Sequence, residues 1–595
     1  MPFAPAHQDA ISPTTRARAV EAAQGHAPFD LLLTGAEIVD VITGELRPAD
    51  LGLVGPMIAS VHPRDSRTDA AEIHDLSGRL LAPGLIDTHV HFESSHMLPH
   101  HYASVVVPQG TTTIFYDPHE IANVLGVPGV RYAVDSTRGL PLRCLCQAPS
   151  SVPSAPGLEV AGASFGGPEI AEMLRWPEVL GVAEMMDMNG VLAGSERPTS
   201  IAEAGRASGK LIEGHARGLT GARLQAYCAA GIGSDHEITS GDDLLEKLRA
   251  GLAIEIRGSH DYVMAPIVEA LAKLPHLSSQ IMICTDDVPP DHLVERGGVI
   301  DVLRSFIAYG MPPLDALRFA TINAALHLGR RDLGALCPGR IADILIVNDI
   351  QTLSVDSVYV SGQIAARNGQ MLHAISPPDV DAPAGTMHLA PQPLAAFELR
   401  LPGISTGRVR LRTIDGVRFS QWGETIVEVR DGRVLLPEGG DLNFLYVQHR
   451  HGKHAARPQL ALQAGLLQLR GALATTYLHD AHNLFAIGGN PRDMQIAANT
   501  LIQCGGGIVA VEDGKVLALA EFPIAGMLSP APPAEVAQAF EAVRTAAGQV
   551  AEWKLPYWIF KTLEGMSLAC NPFPYLTDLG LADGKLGVLT DLVLP

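Results

Sequence analysis

The sequence predicts an α/β fold: a (β/α)8 TIM-like barrel with a flanking small β-sandwich and an additional C-terminal α+β domain. Three observations carry this reading. From Leu85 onward, short apolar runs alternate with crossover-sized spacers and stop at His91, Asp117, Ala148, Glu184, His215, His236, Arg257 and Asp286. Eight such runs are the pattern of a parallel barrel with helices outside, in which chemistry collects at the C-terminal strand ends. Strand-like sequence also lies on both sides of these runs, so two separate segments are expected to pair into one small sandwich. Finally, a Pro- and Ala-rich stretch near Ser376 to Pro393 is followed by sequence long enough for a further domain.

Taken in order, residues 1–82 hold the N-terminal segment and the first half of the sandwich, with strand-like runs at Asp30 to Leu33 and Ala36 to Val41 and turns at Thr43-Gly44 and Gly55-Pro56. Residues 83–335 form the barrel. Residues 336–375, with runs at Pro338 to Val347 and Val358 to Ala365, supply the second half of the sandwich. Residues 376–395 read as a linker. Residues 396–595 form the last domain, made α+β by strand-like Thr425 to Val429 and Gly507 to Val511 and a helix-like Pro533 to Gln549. No internal repeat is found.

Composition narrows the class. The 595 residues are 47% hydrophobic and 18% charged, which suits a large globular protein of several domains. With 43 Lys and Arg against 64 Asp and Glu, the net charge of -21 argues against a nucleic-acid partner or an anionic membrane surface and for a small neutral or cationic substrate. The seven cysteines are scattered without CxxC spacing, against both a disulfide framework and a zinc ribbon. The N-terminus shows no apolar leader, and no apolar run is long enough to span a bilayer, so a reducing, cytoplasmic setting is expected.

The strand ends carry the chemistry. His89 and His91 stand two apart at the end of an apolar run entered through Pro83-Gly84, and on a strand such positions face one side. Alone, the pair also fits two ordinary surface histidines. Glu184, His215, His236 and Asp286 end later runs. Singly they also fit an ion pair, buried hydrogen-bonded histidines and a helix cap; together, four histidines and two carboxylates can serve two divalent ions. Glu184 can bridge the pair, and His215 and His236 would hold the second ion. Such a centre acidifies bound water and supplies hydroxide at neutral pH, with Asp286 placed to shuttle its proton. Histidine and carboxylate donors accept manganese, iron or zinc.

These residues resemble the amidohydrolase superfamily and, more closely, its bacterial adenine deaminases. The likeness runs from about Arg16 onward through nearly the whole chain. Its most specific pieces are His89-Val-His-Phe-Glu-Ser-Ser95, Asp117-Pro-His-Glu-Ile-Ala-Asn123, Gly181-Val-Ala-Glu184 and Thr285-Asp-Asp287, with His479-Asp-Ala-His-Asn483 and Gly505-Gly-Gly-Ile-Val-Ala-Val511 in the C-terminal region. Many related barrels bridge their metals with a carboxylated lysine, whereas the fourth strand here offers Glu184. The resemblance implies hydrolysis of adenine to hypoxanthine and ammonia, two Mn2+ or Fe2+ ions, and a base-sized pocket closed by Glu93, Ser94, Ser95 and His119. A homo-oligomer, dimer or larger, is the expected assembly. Departures from the family pattern occur at His96, at His100-His101 and across Ala253 to Asp261.

Asp117 and Glu120 have two readings. One is a helix start, with Asp117 as cap, Pro118 in the first helical position and Glu120 in capping-box spacing. The other has Glu120 donating a proton to a ring nitrogen or the leaving amine, oriented by Asp117. His260, His292 and the run His449 to His454 read as solvated or packed, and Gly505 to Gly507 as a turn, since no Lys-Ser/Thr follows. A cyclic amidase or a deaminase of another heterocycle is the alternative enzyme, and a non-catalytic scaffold the alternative class. The zinc deaminases with an H-x-E and P-C-x-x-C signature are excluded.

Overall fold

A computed structural model describes residues 11–595 except 417–418, 438, 456, 467 and 552–562. Residues 1–10, where most of the expectation of no leader falls, lie outside the described residues. The eight strand-like runs form β1 (Leu85–Val90), β2 (Thr111–Tyr116), β3 (Arg143–Ala148), β4 (Val179–Met185), β5 (Leu211–Gly214), β6 (Ser234–Asp235), β7 (Ala253–Arg257) and β8 (Ile281–Cys284). Neighbours from β1 to β5 and from β6 to β8 pair in parallel. The two arcs are joined where Gly233 N donates to Ile212 O (2.9 Å), and the ring closes where Asp286 N donates to His89 O (2.9 Å). This is a TIM-like barrel, and its closing residue is one of the candidate site residues.

Burial explains the runs. Every residue of β1, β2 and β3 is buried, as strands covered on both faces must be. The helices outside are amphipathic. Helix Val299–Ala308 buries Val299, Ile300, Val302, Leu303 and Phe306 on one face. Helix Gly241–Arg249 starts at Ser240, whose hydroxyl accepts from Asp243 N at 3.1 Å, and it places Asp242 and Asp243 in its first turn and Lys247 and Arg249 in its last. Gly84 leads into β1, and a Cβ there would lie 2.3 Å from the Thr112 hydroxyl, so the strand can pass its neighbour only without a side chain.

Segments from both sides of the barrel meet beside it. Strand Leu80–Pro83, immediately before β1, pairs antiparallel with Ile344–Val347, which follows the barrel. They belong to a seven-stranded sheet, and a four-stranded sheet is built from Phe29–Thr34, Asp50–Val54, Met57–His62 and Ala70–Asp75. Leu33, Leu51, Leu53, Ile344 and Tyr359 form one apolar cluster with residues from both sheets. Residues 374–393 hold no helix or strand.

The C-terminal region is organised by one nine-stranded sheet with a helix on each face. Alternation along the strands makes the two cores: Phe444, Tyr446, Val509 and Val511 face helix Pro491–Cys504, while Leu445, Val447, Ile508 and Ala510 face helix Pro533–Val550. This region docks on the barrel through Ser529 N to His96 O (2.9 Å), an Arg544–Asp291 ion pair and Thr577 Oγ1 to Leu158 O (2.5 Å). Among the described residues, no helix is long and apolar enough to cross a membrane.

Arg143 on β3 donates to Asp343 at 2.6 Å and to Thr113 at 2.9 Å, wholly buried, and so ties the barrel to the flanking sheet. Removing one partner of a buried pair strands the other, so Arg143→Met is expected to cost about 3–5 kcal/mol. Equilibrium denaturation measures this, and a cost below about 1 kcal/mol, the range of an exposed pair, would contradict the assignment.

Candidate active site

Six side chains from five separate strand ends converge at the C-terminal mouth of the barrel, all buried. The Glu184 carboxylate lies at the centre. Its Oε1 is 3.6 Å from His89 Nε2 and 3.4 Å from His91 Nε2, while its Oε2 is 2.7 Å from His215 Nδ1 and 3.2 Å from His236 Nε2. His119 Nδ1 also lies 3.5 Å from Oε1, so one oxygen faces three histidines and the other two. Asp286 Oδ1 lies 3.4 Å from His91 Nε2 and 3.8 Å from His89 Nε2, on the side of the first pair.

This donor set fits divalent ions. His91 Nδ1 faces the Asp117 carbonyl at 3.0 Å, and donating there leaves a lone pair on Nε2 for a metal. Nδ1 of His89 and of His236 are buried without a hydrogen-bond partner, while their Nε2 atoms face His91 at 3.0 Å and Glu184 at 3.2 Å respectively. Donor atoms 3–4 Å apart are spaced as neighbours around an ion with bonds of about 2.0–2.2 Å. Burial alone would raise Glu184, but His236, His215 and His89 outweigh it and hold the carboxyl well below its ordinary range.

A ring of charge supports Asp286. Its Oδ2 accepts from Arg257 and, at 3.3 Å, from Ser259. Arg257 also reaches Glu237 at 2.9 Å, and Glu237 in turn pairs with Arg217. Burial raises the Asp286 carboxyl, yet Arg257 and His91 more than reverse this and keep it ionised. Its backbone φ of 59° lies in the left-handed region, which aspartate tolerates better than most residues. Sequence reading missed Arg257, Glu237 and Arg217. Two signals were present: Arg257 ends the seventh run, in the segment that departs from the family pattern, and Glu237 follows His236.

Asp117 and Glu120 are arranged differently from both sequence readings. The helix there runs His119–Leu125 with Pro118 at its N-cap and no side-chain cap bond, so the capping box does not form. Asp117 instead accepts from His119 Nδ1 at 2.8 Å, orienting that ring rather than Glu120. Glu120 is fully buried and off the cavity wall. It faces His482 through Oε2, and His479 Nδ1 (3.1 Å), Tyr477 Oη (3.2 Å) and His119 Nε2 (3.4 Å) through Oε1. Burial raises its carboxyl, but His479, His119 and His482 outweigh that and hold it well below the ordinary range. So surrounded, the carboxylate faces rings or a hydroxyl at both oxygens.

The expected closing residues divide. His119 lines the cavity, but Glu93, Ser94 and Ser95 do not. The Ser94 and Ser95 hydroxyls donate to His91 O (2.7 Å) and Phe92 O (2.6 Å), completing a local 3₁₀ turn. Glu93 is buried behind them, its carboxyl pushed up to about 8 by burial and by Glu120. His96 is likewise structural: Nδ1 faces Met527 O at 2.9 Å and the ring stacks on Phe522 at 3.9 Å. His454 and His449 gather about Asp578, and Gly505 ends helix Pro491–Cys504 in a left-handed turn.

The cavity is open to solvent, and His91, His119, Glu184, His215, His236 and Asp286 line it. Its mouth comes from the C-terminal region, through Phe419, His479, Asn571, Phe573 and Tyr575. Phe419 and Phe573 meet edge to face at 5.6 Å, giving a flat ring an aromatic rim.

Comparison with known proteins identifies the family. Residues 80–365 match the amidohydrolase family, which defines the class: a hydrolase barrel. Residues 418–587 match the adenine deaminase C-terminal domain. The chain is 59% identical to an adenine deaminase of Klebsiella pneumoniae (strain 342) over 97% of this chain and 95% of that protein, and 57% identical to one of Serratia proteamaculans over 98% of each. A solved β-aspartyl dipeptidase from Fervidobacterium islandicum AW-1 superposes with a TM-score of 0.44 at 17% identity, covering 58% of this chain and 98% of that one. The chain belongs to the adenine deaminase family of the amidohydrolases.

Replacing Glu184 or His89 with Ala is expected to remove metal and activity together, as elemental analysis beside an ammonia assay will register; an active Glu184→Ala protein with full metal defeats the bridging assignment. Asp286→Asn, in contrast, is expected to keep most of its metal while turnover falls roughly 10²-fold or more, the scale of lost acid–base catalysis. Near-normal turnover rejects the proton-carrying role.

Proposed function

We propose that this chain hydrolyses adenine to hypoxanthine and ammonia, using two divalent ions held by His89, His91, Glu184, His215, His236 and Asp286. The observation that carries this reading is the 59% identity to an adenine deaminase, spanning barrel and C-terminal region alike, on a chain whose candidate donor set is complete. Bound there, manganese or iron, with zinc a chemically acceptable substitute, would generate a nucleophile from water at neutral pH. Asp286, kept ionised by Arg257, accepts the proton that water loses. Glu184 holds both histidine pairs in register, and Asp117 fixes His119 on the cavity wall. The aromatic rim orients the purine with C6 toward the floor.

The same reading assigns residues 1–82 and 336–375 to a β-sandwich, supported by their shared apolar cluster, 83–335 to the catalytic barrel, 376–395 to a linker and 396–595 to the C-terminal domain. Unpaired cysteines throughout support a reducing, cytoplasmic compartment.

The test is ammonia release from a panel of adenine, adenosine, guanine and cytosine, with ring opening of hydantoin and dihydroorotate followed alongside, using metal-loaded protein. Adenine is expected to exceed adenosine by about 10²-fold or more, because a site that pairs the base's own polar atoms rejects what leaves them unpaired. Comparable rates on the two, or preference for a cyclic amide, would overturn the substrate assignment.

A further inference from the structure

We propose that the C-terminal region supplies the proton for the departing amine through His479, whose ring is gripped at one nitrogen by Glu120 and at the other by Asp287. This rests on the reading of the chain as a deaminase. The reaction makes a C6–O bond and breaks the C6–N bond. Water gives up two protons; one ends on the ring, and the other must reach the amine, which leaves as ammonia with the electron pair of the broken bond. His479 delivers that second proton and is recharged from the solvent-open cavity, into which Asp286 passes the water proton that does not end on the ring.

The geometry separates His479 from its neighbours. Its Nδ1 is 3.1 Å from Glu120 Oε1 and its Nε2 is 3.3 Å from Asp287 Oδ2, so satisfying both carboxylates requires a proton on each nitrogen. Its side chain is 11% exposed and lines the same cavity as the histidine cluster, whereas Glu120 is 0% exposed and off the wall. His482 cannot replace it. Leu478 N donates to His482 Nδ1 at 3.2 Å, leaving the ring proton on Nε2, which points at Glu120. His119 stands differently: its Nδ1 is held by Asp117, and its Nε2 has no hydrogen-bond partner and lies 3.4 Å from Glu120 and 3.6 Å from Asp480, so a His119→Gln protein measured alongside must not reproduce the effect of His479→Gln on the two purines.

Glu120 is then a positioning residue. Charge on Glu120 and Asp287 outweighs the burial that would strip His479 of its proton and holds the imidazole well above its ordinary value. Arrival of a purine in place of the Asp287 contact would turn Nε2–H toward the leaving nitrogen. The same four groups, His119, Glu120, His479 and Asp480, also converge closely enough to hold a metal ion. The experiment therefore counts ions.

His479→Gln keeps a hydrogen bond to Glu120 but has no proton to give, and Glu120→Gln removes the charge behind the imidazole. Both are compared with the unaltered, metal-loaded protein on adenine and on 6-chloropurine, whose chloride leaves without a proton, with metal content measured in parallel. The expected result is a fall in kcat on adenine of about 10²–10⁴-fold, the range of general acid catalysis. KM and the two-ion content should change little, and the ratio of 6-chloropurine to adenine turnover should rise at least about tenfold. Equal losses on the two purines, adenine turnover near that of the unaltered protein, or an ion lost with His479 would each overturn the assignment. An unaltered protein that releases no ammonia from adenine refutes the underlying deaminase reading instead.

Discussion

The carboxylate of Glu184 faces five histidines within 4 Å, with His89, His91 and His119 at one oxygen and His215 and His236 at the other, and all of these side chains are buried. Such a concentration of buried donors is costly unless positive charge lies among them, because imidazole lone pairs and carboxylate oxygens desolvated together gain nothing from one another. The barrel makes the arrangement possible. Strand ends spaced around a closed ring can aim side chains at one point, which no single helix or hairpin could do. Closure itself runs through the site: the backbone of Asp286 joins the last strand to the first, so the residue that completes the ring also completes the donor set.

The second half of the chain is part of the catalytic cavity rather than an appendage. Glu120, in the first turn of the helix after β2, reaches its His482, Tyr477 and His479 partners more than 350 residues away. A buried carboxylate in the barrel and the rings of the C-terminal region each lose partners without the other. That mutual need, with the Arg544–Asp291 pair and the stacking of His96 on Phe522, makes the interface specific as well as apolar. The cavity mouth follows from it, since Phe419, Asn571, Phe573 and Tyr575 reach the barrel only when this interface forms.

Much of the barrel is legible in sequence because every strand except the third, which ends at Ala148, announces itself twice, by an apolar run and by the polar residue at its end. Even β6, only Ser234–Asp235 as a regular strand, is marked by His236. Capping was misread at Asp117 because Pro118 adopts φ -83° and ψ 40° as the N-cap itself, leaving the aspartate to His119. The hydroxyls of Ser94 and Ser95 turn inward to nearby carbonyls, which spacing alone cannot reveal. Long-range partners are harder still. Nothing near Glu120 in sequence says that His482 will face it, although the paired histidines of His479-Asp-Ala-His482 were visible as a motif.

The central claim, that one carboxylate bridges two ions, is tested most directly by low-temperature electron paramagnetic resonance of the protein loaded fully with Mn2+. Two ions sharing Glu184 are close enough to couple magnetically, and the spectrum is expected to be that of an exchange-coupled pair. At full loading, a spectrum showing only the six-line pattern of isolated Mn2+ would contradict the account.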